Sequence, residues 1–117
     1  MQIGQFQHFL EAQNPIYEEV LKELRNGKKQ THWMWFIFPQ LKGLGTSPMS
    51  VRYAIQDLDH AKAYWNHPIL GARLRECFAL VENGGKSPEE VFSPIDTLKY
   101  RSCKQLFSPF MGINKNI

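Results

Sequence analysis

The sequence has few cysteines, no long apolar run and no block of like charge. Its two cysteines, Cys77 and Cys103, make no C-x-x-C pair, so spacing supports neither a disulfide framework nor a thiolate metal site. The histidines (His8, His32, His60 and His67) show no i, i+4 pairing, which removes the helical metal-ligand signal as well. No metal or cofactor is expected. The longest apolar run is the seven residues from Trp33 to Pro39, far short of the roughly 20 that span a bilayer. No basic segment followed by an apolar stretch opens the chain, so neither a secretion signal nor a membrane partner is expected. A reducing, cytoplasmic setting with two free thiols is the default. The net charge is +3. The basic residues form small groups, Arg25/Lys28/Lys29 and Lys99/Arg101/Lys104, instead of one stripe, which argues against nucleic acid as a partner. No carboxylate pair sits in an apolar run, so two-carboxylate hydrolysis has no support.

What is present reads as one helical domain. The chain has 117 residues, 43% hydrophobic and 13% aromatic, a globular composition with enough length for its own core. Phe6, Phe9 and Leu10 make a short first face. Asn14-Pro15 reads as a cap followed by proline, Tyr17, Val20, Leu21 and Leu24 continue the helical period, and Gly27 supplies the stop. Ser47-Pro48 and Ser87-Pro88-Glu89-Glu90 are further starts, the second a capping box. Asp57 is expected to cap a helix over Leu58 to Trp65. Pro68 opens a longer one along Leu70, Leu74, Cys77, Phe78 and Val81. Asp96 is expected to cap the last, with Leu98, Cys103, Leu106 and Phe107 along it.

The segment THWMWFIFPQ, residues 31–40, holds two of the three tryptophans. It has no alternation, so it is a buried strand or a buried helix. With no second strand visible to pair with it, a short central helix capped by Thr31 and ended near Pro39 is preferred. Phe36 and Ile37 are expected in the core. Trp33 and Trp35 suit either a core or a pocket wall that stacks on planar ligands. His32 and Gln40 bracket them and offer a titratable imidazole and a bidentate amide; their ordinary role is to satisfy helix ends. Gly43 to Pro48 precede a helix start whose free N–H groups suit an anion, with Arg52 one turn in. The ordinary alternative is a turn and a capped helix, since neither phosphate-loop pattern is present. Arg73 and Arg75 point to different sides of their helix, and one is expected to meet a carboxylate such as Asp96. Gly71 is expected to admit a neighbouring helix. Cys103 is read as a buried, inert thiol.

The words HWMWFIFPQ, GLGTS, HPILGARL and D-x-x-K-x-x-S-C-x-x-LF together resemble a mostly bacterial family catalogued as domain of unknown function 1810, some members of which carry the label calpastatin. The resemblance runs over nearly the whole chain. It implies an all-α, compact multi-helical single domain, placed here at residues 7–107 around a buried aromatic segment. It implies no established activity. The family signature contains both His32 and Gln40, which strengthens their functional reading. Family members generally continue past the position of Phe107 into a further aromatic-rich helix, whereas here residues 108–117 form a short, atypical tail. The surface left by that helix would then favour self-association.

Two functions are compatible with these residues. In the first, a planar anionic metabolite, such as a nucleotide derivative, binds with or without catalysis. His32, Trp33, Trp35, Gln40, Gly45, Ser47 and Arg52 would form its site, His32 being the proton-transfer candidate. In the second, the chain is a non-enzymatic interaction or self-associating module.

Overall fold

In the computed structural model, which describes residues 4–111, four of the helices begin where a serine or an aspartate ends an extended stretch. The helices are α1 (Gln7–Gln13), α2 (Tyr17–Arg25), α3 (Met34–Ile37), α4 (Pro48–Arg52), α5 (Leu58–Asn66), α6 (Leu70–Glu82), α7 (Pro88–Val91) and α8 (Pro94–Phe107), with a 3-10 turn at Ser108–Phe110. No strand occurs among the described residues. One isolated parallel bridge joins Leu41 and Ile55. There the Ile55 N–H donates to the Gln40 carbonyl and the Lys42 N–H to the Ile55 carbonyl, both at 2.8 Å. The fold is all-α. Residues 112–117 of the expected tail lie outside the described residues.

The helix ends obey local chemistry. Ser47 accepts from the Ser50 N–H at α4, Asp57 from the His60 N–H at α5, and Ser87 with Glu90 completes a reciprocal capping box at α7. Gly27 has φ +72°. Its N–H donates to the Leu24 carbonyl and the Lys28 N–H to the Glu23 carbonyl, both at 3.0 Å, the pair of bonds that closes a helix on a left-handed residue.

Three expected caps and one expected start move. Asn14 ends α1 instead of starting α2, whose first turn carries no side-chain cap. Thr31 does not cap α3; its hydroxyl turns to Glu23. Ser93, not Asp96, caps α8, because Pro94 occupies its first turn and Asp96 falls at the position whose N–H bonds Ser93. His67 Nδ1 accepts from the N–H groups of Ile69 and Leu70 at 3.1 Å, so α6 starts two residues beyond Pro68.

The core forms around α6 and α8. α6 packs on α2 and α5, α8 on α5, α7 and α3, and α3 also on α1. The face Leu70, Leu74, Cys77, Phe78, Val81 is buried throughout. α8 buries Thr97, Tyr100, Cys103 and Phe107 and leaves Leu98 outside, so its inner face is offset from the expected one. Phe38 is completely buried, with ring centroids of Tyr100 at 5.0 Å, Phe78 at 5.4 Å and Phe92 at 6.0 Å. Such aromatic pairs add about 0.5–1.5 kcal/mol each beyond burial. At Gly71 a Cβ would stand 1.9 Å from the Trp65 carbonyl oxygen, so only glycine lets α6 lie this close to the end of α5.

Buried polar groups are paired. Gln13 donates to the Phe36 carbonyl at 2.7 Å and to the Tyr64 hydroxyl at 3.2 Å, while Arg73 donates to its side-chain oxygen at 3.2 Å. Arg73 therefore meets an amide and the Tyr17 ring, and Arg75 meets the Trp65 carbonyl and ring. Neither reaches Asp96, which pairs with Lys29 at 3.0 Å.

Candidate functional site

Trp33 and Trp35 lie two positions apart around the single turn of α3, so their rings leave on different sides. Trp33 is 1% exposed. Its indole N–H donates to Glu23 at 2.9 Å. The same carboxylate, 3% exposed, accepts from the N–H groups of Gln30 and Thr31 at 2.7 and 3.1 Å and from the Thr31 hydroxyl at 2.7 Å. Burial alone would raise the Glu23 carboxyl; these donors outweigh it and hold the group down at about 2. Trp33 is thus a sealed core residue and not a pocket wall.

Trp35 is partly exposed and walls a small, narrow cleft. Buried Met34, Phe38 and Tyr53 and the more exposed Gln40, Leu41, Gly45, Ser50 and Lys99 complete its lining. The Lys99 ammonium stands 5.3 Å from the Trp35 ring centre, inside the range of a cation–π contact. Its carboxylate neighbour Asp96 is 3.9 Å away and is closer to Lys29, which in turn stands 5.2 Å from the Trp33 ring centre. Asp96 is thus shared between two ammonium groups.

Trp35, Gln40 and Gly45 of the sequence-derived set line this cleft, and the other four do not. His32 is exposed and stands apart from it. The Ser47 hydroxyl is engaged by the Ser50 N–H at 3.2 Å and the Ser50 hydroxyl at 2.9 Å. Arg52 lies outside, its Nε donating to the Tyr53 hydroxyl at 3.3 Å and its guanidinium 5.6 Å from that ring. Gly45 contributes a close approach and not an anion cradle: a Cβ there would meet the Ser50 hydroxyl oxygen at 2.5 Å.

Lys99, Ser50 and Tyr53 are the cleft residues that sequence reasoning missed as a set. The D-x-x-K spacing on α8 was visible, but which helix faced Trp35 was not. Burial pushes the Cys77 thiol up to about 12 and raises Cys103 as well, so neither supplies a thiolate near neutral pH. Among the described residues no group of three or more His, Cys, Asp or Glu is placed to hold a metal ion. No helix there is long and apolar enough to cross a membrane.

Comparison with known proteins adds a family and a fold. The family described as protein of unknown function (DUF1810) matches residues 4–116. The crystal structure of the conserved hypothetical protein Rv1873 from Mycobacterium tuberculosis is similar, with 50% sequence identity and a TM-score of 0.87. The match covers 94% of this chain and 79% of that one. No curated protein matches the chain.

Proposed function

The chain belongs to the family of unknown function DUF1810, and within that frame we propose that the cleft beside Trp35 binds a small planar anion. The observation that carries this reading is the pairing of a half-open indole face with a lysine whose own carboxylate is shared. Trp35 supplies a stacking surface, Lys99 the charge, and the Gln40 carboxamide a donor and an acceptor for the ligand's edge. The hydroxyls of Ser50 and Tyr53 offer orientation. His32 has no part, so the proposal is a binding site without an assigned proton-transfer residue. A reducing, cytoplasmic setting suits the two buried free thiols.

Thermal-shift titration with naphthalene-2-acetate and with adenosine monophosphate tests it. A true ligand at a hundred times its dissociation constant adds about 2.7 kcal/mol. Lys99→Met is expected to weaken binding about tenfold, the scale of one charge-assisted contact, and Trp35→Ala to abolish it. Absence of stabilisation by either compound at millimolar concentration rejects the reading. The competing reading, a self-associating module, draws on the open groove lined by Trp65, Phe78, Phe110 and Met111. Sedimentation at several concentrations checks it, and a monomer throughout rejects it.

A further inference from the structure

The cleft does not end at Lys99. A second, more open compartment adjoins it, bounded by Leu44, Ile95, Leu98 and Ser102. The two compartments share Gln40, Gly45, Ser50 and Lys99. They adjoin along these residues and make a candidate channel that includes the Lys99 side chain in its wall.

The walls on either side differ in kind. The inner slot is aromatic, through Trp35, Phe38 and Tyr53. The outer one is aliphatic: Leu44 is 60% exposed and Ile95 and Leu98 each 67%. Ile95 and Leu98 lie three apart on α8 and share one side of it. That side is separate from the buried stripe through Thr97, Tyr100, Cys103 and Phe107, so core packing does not account for it. Its adjacency to the Trp35 slot, with four shared lining residues, points to one occupant, the remainder of whatever enters the slot.

Charge narrows the occupant further. Among the described residues, Lys99 is the one charged side chain lining either compartment. It can neutralise a single negative charge. A nucleoside diphosphate or a sugar bisphosphate would bring further charges with no partner, and its hydroxyls would lose water against Ile95 and Leu98 without gaining donors. Resting on the reading of Trp35 and Lys99 as a ligand site, we infer that the channel takes an amphipathic monoanion. Its flat ring fills the inner slot, its one carboxylate meets Lys99, and an aliphatic arm lies on Leu44, Ile95 and Leu98.

The test compares 2-(naphthalen-2-yl)octanoate with naphthalene-2-acetate and adenosine monophosphate, by calorimetric titration of the full chain below the micellar range. The octanoate is expected to bind at least about tenfold tighter than the acetate, well within what partial burial of a hexyl chain yields. In the double variant Ile95→Ser/Leu98→Ser that advantage disappears while the acetate binds as before. Both positions are exposed, so the fold tolerates the change, and circular dichroism verifies it. Equal affinity of the two acids, an advantage that survives in the double variant, or tighter binding of the nucleotide overturns the inference and leaves the Trp35 slot standing. So does conversion of a dimer to a monomer by the double variant, which would make this face a self-interface. Failure of all three compounds rejects the slot and the inference together.

Discussion

Replacing Glu23 by glutamine isolates a charge without removing a shape. One oxygen of this carboxylate accepts from three N–H groups and the other from the Thr31 hydroxyl. A glutamine carbonyl keeps the three N–H bonds, and the hydroxyl reverses to accept from the amide. What is lost is the charge assistance. The carboxyl stands at about 2, against an ordinary value of 4.5. At about 1.4 kcal/mol per unit, that difference contributes about 3 kcal/mol at neutral pH. Glu23→Gln is therefore expected to cost about 2–3 kcal/mol, or roughly 10 °C in Tm for a chain this size. Glu23→Ala costs about 4 kcal/mol, because it also leaves the Trp33 indole N–H buried without an acceptor. The folded-state pKa is depressed, so the contribution is complete above 4.5 and is lost as pH falls through about 2. Urea unfolding followed by tryptophan fluorescence from pH 7 to pH 2 reads this directly. Parent and Glu23→Gln should differ at pH 7 and converge near pH 2. Parallel curves, or a difference below about 0.5 kcal/mol at pH 7, would refute the argument that these donors act on a charge.

Gly71→Ala should destabilise by about 2 kcal/mol or more in urea unfolding, since the obstruction is the backbone of Trp65 and the intrinsic helix gain is only about 1 kcal/mol; a gain in stability would show that α5 and α6 separate freely. Burial lowers the pKa of His8, His60 and His67, with Arg52 and the other imidazole adding to it at His8. These groups bind fewer protons folded than unfolded, so stability should fall as pH drops below about 6.5. Thermal unfolding between pH 7.5 and 5 checks this, and a flat profile contradicts it. Ser93→Ala, which removes the acceptor for the Asp96 N–H, should cost about 1 kcal/mol by chemical unfolding. Asp96→Ala, once the expected cap, should act on Lys29 and Lys99 instead; a larger loss than at Ser93 would restore it as the stronger anchor.

Local signals that act within one turn were legible. The capping box at Ser87, the Ser47 and Asp57 caps, the Gly27 stop and the apolar face of α6 all depend on neighbours three or four residues away. Signals depending on distant partners were not. Asn14-Pro15 has the residue types of a helix start, but Asn14 continues the turn before it and ends α1 instead. Thr31 looks like a cap because Glu23, its real partner, lies eight residues back. The offset face of α8 was hidden because Leu98 is as apolar as its buried neighbours yet stays outside. Half the cleft was visible in the nonapeptide, through Trp35 and Gln40. The other half comes from Gly45, Ser50 and Tyr53 and from Lys99 on α8, and no spacing in one sequence reports which segment lies across from which.

The bridge between Leu41 and Ile55 has its own consequence for how such a cleft diversifies. Two hydrogen bonds clasp the ends of a 15-residue segment, so its tip can change in length or lettering while both feet stay planted. Trp35 and Lys99 belong to the helical bank of the channel, on α3 and α8, and Gly45, Ser50 and Tyr53 to this clasped one. Selectivity can thus be rewritten on one bank alone, by exchanging residues 43–50 between related chains, with the helical scaffold carried over intact.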